Sequence, residues 1–264
     1  MSTKTVPLQD ARAKGLRSRV SEGEWQARVD LAACYRLADL YDMSDMIYTH
    51  ISARVPGEPR HFLINPHGLL FEEITASSLL KVDLDGNVLY QQQAEYGLQR
   101  AGYVIHSALY LARPDIDAAM HTHTIAGMAV SALKCGLLPL TQTATRFVSR
   151  LAYHDFNGPE RDPAERAALA RDLGPHNYMI LRNHGLLTVG ASIAETFTAM
   201  YGLERSCMAQ VAAMACNTPL NEMPEATVQK AIAMYDPDVI RRYGLLEWPG
   251  LLRRLDRRDP SFRE

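Results

Sequence analysis

The chain is expected to fold as one α/β domain, with helices covering a sheet. Three observations point there. Apolar residues recur at helical spacing in some stretches and alternate in others, and the two patterns interleave from end to end. No internal repeat and no linker-like stretch divides the 264 residues. The composition is ordinary, 47% hydrophobic and 22% charged, which excludes disordered, collagen-like and low-complexity chains. A chain of this length buries roughly three quarters of its unfolded surface and needs no staples.

The elements follow in order. Ser21 and Glu24 form a capping box, and Trp25, Val29, Ala33, Leu37 and Leu40 continue at helical spacing, so a helix runs to about Asp42. Short β-like runs follow at Tyr48 to Val55 and Phe62 to Ile64, parted by the Pro56-Gly57 turn. A short helix is expected from Thr75 through Leu80. Val82 to Leu89 alternates around Asp85-Gly86, a hairpin signal. Tyr103 to Ala112 reads as a helix stopped by Pro114. Asp117 to His123 reads as a strand, Ile125 to Leu133 as a helix and Arg146 to Tyr153 as a strand. Asp162-Pro163 opens a helix through Arg171. Tyr178 to Leu181 and Leu186 to Val189 are strands around Asn183-His184-Gly185. A second capping box, Ser192 to Glu195, opens the longest helix, to about Cys216.

Charge narrows the function classes. The chain holds 28 Lys and Arg against 30 Asp and Glu, a net charge of −2. No basic excess is left for nucleic acid. Arg241 to Arg258 is Arg-rich but interrupted by acids, as in a solvated or subunit-contacting tail. No stretch approaches the ~18 uninterrupted apolar residues of a membrane span, and the first 20 residues lack a signal peptide's apolar core. Cys34, Cys135, Cys207 and Cys216 show no C-x-x-C spacing. Reduced thiols and a cytoplasmic location are expected.

Three of the nine histidines stand out by context. His121 and His123 lie two apart on a predicted strand, so both rings can reach one ion. His184 sits at a tight turn, where the following Gly185 is expected to ease the backbone. Three imidazoles leave coordination positions open, as in catalytic rather than structural metal sites. The P-loop, G-x-G-x-x-G, H-E-x-x-H and G-x-S-x-G motifs are absent.

The runs His106 to Asp115, Met120-His121-Thr122-His123 and Leu181-Arg182-Asn183-His184-Gly185 resemble, in order and spacing, the motifs of the class II aldolase/adducin family. The resemblance covers about Ser21 to Met223. It implies an arm at 1–20, a family domain at 21–235 and a tail at 236–264. It implies a three-layer α/β/α fold with a mixed, largely antiparallel sheet, and a homotetramer with sites near subunit interfaces. It makes His121, His123 and His184 the ligands of one divalent ion, zinc first, with manganese or iron as alternatives.

The departures from the family pattern are as informative. Aldolases of the family carry a catalytic Glu, after two serines, four residues before the motif's first His. Here that stretch reads Arg100-Ala101-Gly102. The two other phosphate loops are replaced by Thr49-His50-Ile51-Ser52 and Asn65-Pro66-His67-Gly68. A phosphate dianion needs several donors, so a phosphosugar substrate is disfavoured. Candidate replacements for the lost acid/base group are His154 and Tyr153, a pair that recurs in adducin-like relatives, and Glu73. Candidate substrate-binding residues are His50, Asn65, His67 and Arg100. His106 is read as packing or supporting the ligands.

The resulting expectation is a metal-dependent lyase. It would perform aldol cleavage or decarboxylation on a small, non-phosphorylated hydroxy- or keto-acid, aromatic acids included. The alternatives are a mononuclear non-haem iron oxygenase on the same scaffold and a non-catalytic adducin-like interaction module. Against the module stand the three retained histidines and the lack of an adducin's Lys-rich tail.

Overall fold

A computed structural model describes residues 15–158, 163–236 and 243–264. The helices are α1 (Glu22–Leu40), α2 (Arg100–Ala112), α3 (Ile125–Ser131), α4 (Gln142–Thr145), α5 (Pro163–Leu173), α6 (Ile193–Ala215), α7 (Glu225–Met234) and α8 (Glu247–Arg258). The strands are β1 (His50–Val55), β2 (Glu58–Ile64), β3 (Leu80–Asp83), β4 (Val88–Tyr90), β5 (Ala118–Thr122), β6 (Leu151–His154), β7 (Tyr178–Leu181) and β8 (Gly185–Gly190).

The strands form one eight-stranded sheet in the order β4-β3-β2-β1-β5-β8-β7-β6. Every pair is antiparallel except β6 with β7. Alternation along each strand sends side chains to two separate cores. Ile51, Ala53, Val55, Met120 and Leu186 pack with α1 and α6 on one face. Phe62, Ala119, Met179, Leu187 and Val189 pack with α2 and α5 on the other. This is the expected three-layer α/β/α arrangement with a mixed, largely antiparallel sheet.

Both expected N-caps form, but neither box closes: Glu24 pairs with Arg28 and Lys81, and Glu195 accepts the Ala191 N–H rather than that of Ser192. Ser21 Oγ accepts the Glu24 N–H at 3.1 Å, and Ser192 Oγ accepts that of Glu195 at 3.1 Å. The 83–88 hairpin forms around Gly86, at φ 93°, with Asp83 Oδ1 accepting the Asp85 and Asn87 N–H groups at 2.9 Å. Cys34 and Cys207 are buried and unpaired.

Two expected elements differ. The helix expected from Thr75 to Leu80 is a turn, and β3 begins at Leu80. Its hydroxyls compete with helical bonding. Thr75 N–H donates to Ser78 Oγ (2.9 Å), Ser78 Oγ–H to Thr75 O (2.9 Å), and Ala76 N–H to the Phe262 carbonyl (3.0 Å). The strand expected over Arg146 to Tyr153 is confined to Leu151–His154. The Thr141 side chain caps α4 and starts helical turns that carry on past it, with Phe147 and Val148 N–H groups donating to Ala144 O. The β-forming side chains of that stretch serve burial instead, as Phe147 is fully buried. Asp162, the expected start of α5, lies outside the described residues.

The stretch expected as a tail packs onto the body over its described residues. Phe262 is fully buried, and Trp248 Nε1–H donates to Asp30 of α1 at 2.9 Å. The described part of the expected arm contributes Leu16 to the core. Among the described residues no helix is long and apolar enough to cross a membrane.

Candidate metal centre

One end of the sheet gathers the start of β1, the end of β5 and the β7–β8 turn. The register follows from antiparallel pairing, with His50 opposite His121 and Leu181 opposite Gly185. His121 is held on β5, His123 follows its last residue, and His184 ends the hairpin turn.

Their rings converge. His121 Nε2 lies 2.9 Å from His123 Nε2, which lies 3.0 Å from His184 Nε2. These ligand atoms all fall within 4.8 Å of one another. Burial, then the neighbouring imidazoles His184, His50 and His123, holds the His121 pKa well below its ordinary value. The ring is therefore neutral, the state that binds metals.

The far sides of the rings are fixed. His121 Nδ1–H donates to the Leu186 carbonyl at 2.9 Å, and His123 Nδ1–H to Asp45 Oδ2 at 3.0 Å. A neutral imidazole has one N–H. With it committed to Nδ1, His121 Nε2 presents a lone pair toward His123 Nε2 across 2.9 Å. A bare nitrogen among converging imidazoles is the donor that a cation requires. Three nitrogens about 2.1 Å from one tetrahedral ion lie roughly 3.4 Å apart, close to the spacing found. The residues fit a divalent ion.

Asp45 was not anticipated. It lies in the loop between α1 and β1, with no sequence periodicity to mark it, and only the fold places it behind His123. A carboxylate there fixes the ring's tautomer and raises its basicity. Asp45→Asn is expected to weaken divalent-metal binding about 10- to 100-fold, checked by competition with a chromogenic chelator. The turn also works differently from the sequence expectation. The left-handed residue is Asn183, at φ 56°. Gly185 is needed for space, because a Cβ there would lie 2.3 Å from the Thr122 carbonyl oxygen.

The other candidates are dispersed. His50 is buried beside the cluster, its ring centroid 5.1 Å from that of His121. Asn65 is buried and accepts the Tyr35 hydroxyl proton at 2.8 Å, a bracing role. His67 is half-buried; its backbone N–H donates to the Gly97 carbonyl at 2.8 Å, and the Tyr96 ring covers the adjoining Gly68. Arg100 is exposed at the start of α2.

The three expected acid/base groups are placed apart from one another. His154 ends edge strand β6 opposite Leu181 of β7, its carbonyl accepting the Arg182 N–H at 2.8 Å, two residues before His184, and its Nδ1 pairs with Asp172 at 2.7 Å. Tyr153 points to the opposite face of the sheet, where its hydroxyl accepts the Leu137 N–H at 3.1 Å. Glu73 accepts the Leu70 N–H at 2.7 Å and lines a separate cavity of about 320 Å³ with Arg36 and Ser261.

Burial has a consequence for stability. His106 is desolvated until its pKa is about 3, and burial likewise holds His50 and His121 far below 6.5. The unfolded chain therefore takes up protons first as pH falls. The stability is complete above about pH 6.5 and declines below it, by at most about 4 kcal/mol per pH unit for three groups. Urea unfolding of the metal-free protein is expected to give a clearly lower free energy at pH 5 than at pH 7.

Comparison with known proteins places this geometry in a family. Residues 29–211 match the Class II Aldolase and Adducin N-terminal domain. A provisionally named aldolase class 2 protein of Caulobacter vibrioides is 50% identical over 251 residues, covering 94% of this chain and 95% of its own. Alpha-adducin of Rattus norvegicus is 47% identical over 195 residues, 74% of this chain but 26% of the adducin. The crystal structure of an aldolase II superfamily protein from Pseudomonas syringae superposes with a TM-score of 0.87 at 47% identity, over 94% of this chain and 99% of that one. The chain belongs to the class II aldolase/adducin family.

Proposed function

We propose that this protein is a divalent-metal-dependent lyase acting on a small, non-phosphorylated hydroxy- or keto-acid by aldol cleavage or decarboxylation. The convergence of three histidine Nε2 atoms, within 4.8 Å and backed by Asp45, carries this reading. His121, His123 and His184 would hold the ion. An ion held there would supply Lewis acidity toward a carbonyl or carboxylate oxygen. The chain's own part is to orient the rings, through the Leu186 carbonyl and Asp45, and to shield one side of the site with the buried His50. Tyr153 and Glu73 are not proposed as its proton carriers, because each is engaged elsewhere; His154, at the strand end beside the turn that carries His184, is kept as the candidate proton carrier.

The replacement of the family's phosphate-loop residues at 49–52, 65–68 and 100–102 favours a non-phosphorylated substrate. Position 102 is the sharpest case. A Cβ on Gly102 would lie 2.6 Å from His50 Cδ2, so the space a family carboxylate would need is taken. Gly102→Glu is therefore expected to destabilise the protein by about 1–3 kcal/mol without conferring cleavage of phosphorylated ketoses. Thermal unfolding and a coupled aldolase assay read both outcomes.

Zinc is the first choice of ion, with manganese or iron as alternatives. Four free cysteines suit a cytoplasmic protein, and a homotetramer is proposed as the working assembly. The 47% identity to alpha-adducin favours one second reading, a binding module on the same scaffold. The test is metal-loaded protein incubated with a panel of hydroxy- and keto-acids, scored for carbon dioxide and for aldehyde. Turnover of at least one acid, lost on chelation and restored by metal, is expected. Turnover of none, or of phosphorylated ketoses only, would overturn the proposal.

A further inference from the structure

Beside the histidine cluster a polar seam crosses an otherwise apolar layer. β1 turns His50 and Ser52 toward α2, and α2 answers with His106 and Tyr110, one helical turn apart. His50 Nδ1 lies 2.7 Å from His106 Nε2. His106 Nδ1 is hydrogen-bonded to Ser52 Oγ, and Ser52 Oγ lies 2.8 Å from the Tyr110 hydroxyl. All four side chains are buried, none more than 3% exposed.

A neutral imidazole carries one N–H and one lone pair, and a serine hydroxyl donates once and can accept twice, so the three links allow three arrangements. In the first, Tyr110 donates to Ser52, Ser52 to His106 Nδ1, and His106 Nε2–H to His50 Nδ1. The His50 proton then resides on Nε2. In the second, every link is reversed, His50 Nε2 is bare, and the Tyr110 proton needs another acceptor. Ser52 is the only hydrogen-bond partner of that hydroxyl among the described residues. The charged group over the Tyr110 ring is the Arg54 guanidinium, 4.6 Å from its centroid, which can only donate. The second direction strands a buried O–H without an acceptor, which folded proteins avoid. A third arrangement, in which Ser52 Oγ accepts from both Tyr110 and His106, strands the Ser52 O–H in the same way, since these are its two partners among the described residues. The first leaves only the His50 Nε2–H, on the ring edge away from His106.

The ring also has a place made for it. A Cβ on Gly102 would meet His50 Cδ2 at 2.6 Å and Nε2 at 3.1 Å. The glycine leaves the room that His50 fills next to His121.

We infer that His50 is a fixed hydrogen-bond donor at the histidine cluster, its Nε2–H set by the Tyr110–Ser52–His106 chain to meet a carbonyl or carboxylate oxygen of the substrate, and that it is not a fourth metal ligand. A ligand must offer a lone pair, and this nitrogen carries a proton. His106, Ser52 and Tyr110 are positioning residues in this arrangement, since they act through His50. The inference rests on the proposed function for its substrate oxygen, but its proton placement stands independently of any metal.

The test uses the full-length, metal-free protein labelled with ¹⁵N-histidine. Long-range ¹H–¹⁵N spectra show which ring nitrogen of each histidine is protonated, and the His50→Gln spectrum assigns the His50 signals. Both His50 and His106 are expected with the proton on Nε2. In Ser52→Ala the His106 Nδ1 resonance should move toward that of an unbonded imine nitrogen. A purely packing role for the serine would not move it. A His50 proton on Nδ1 in the wild-type chain would overturn the inference. A zinc titration supplies the second readout. His50→Gln should bind zinc within about threefold of wild type, and a loss of tenfold or more would make His50 a ligand and overturn it. Failure of the wild type to bind zinc would count against the proposed function and leave the tautomer result intact.

Discussion

His121→Ala and His184→Ala should each lower divalent-metal affinity by on the order of a thousandfold. Each removes one of three nitrogens whose mutual spacing is 2.9–3.0 Å along the His121–His123–His184 path. The two rings left behind cannot close around an ion, and the remaining positions fall to water. For His184 the loss should be a binding effect rather than a folding effect, whereas the buried His121 ring also contributes packing. His184 is only half-buried, so its truncation removes little core. Calorimetric titration with zinc reads the affinity, and thermal unfolding of the metal-free variants provides the control. Affinity within tenfold of wild type in either variant would contradict the ligand assignment.

Gly185→Ala should be nearly as damaging without touching a ligand. Its Cβ would fall 2.3 Å from the Thr122 carbonyl oxygen. That oxygen belongs to the backbone of β5, in a stretch paired residue by residue with β8, and cannot swing aside as a side chain would. The two strands must separate where one carries His123 just past its end and the other follows His184. A destabilisation of about 3 kcal/mol is expected, lowering the melting temperature by roughly 6–12 °C in a chain of this size. Metal affinity should fall with it, since His123 and His184 move apart. A melting temperature within 2 °C of wild type would show that the hairpin absorbs the methyl group.

Much of the fold was legible because its signals are local. Ser21 and Ser192 announce their helices through side-chain caps, and Asp83 with Gly86 announces a hairpin. Thr75 to Leu80 misled because serine and threonine serve turns as well as helix starts. Only a partner distant in sequence, the Phe262 carbonyl, settles that stretch as a turn. Phe147 and Val148 misled because β-forming side chains suit a buried irregular turn equally well.

The candidate site divides in the same way. The two-residue spacing of His121 and His123 is visible on a strand and His184 at a tight turn, and the motif resemblance joined the three as ligands of one ion. Asp45 has no such spacing, and its role depends on where the loop before β1 lies. His154 and Tyr153 alternate on the edge strand β6, so one faces Asp172 and the other the opposite core. The meaning of Gly102 was legible only as a loss. The structure supplies the complement, the His50 ring in the space that glycine leaves.

The central claim is that three histidines hold one divalent ion. Elemental analysis of untagged protein, purified without chelator and handled anaerobically, tests it most directly. About one equivalent of zinc, manganese or iron per chain is expected, falling to background in His121→Ala. No metal in the wild type, even after reconstitution, would contradict the account and favour the adducin-like binding module.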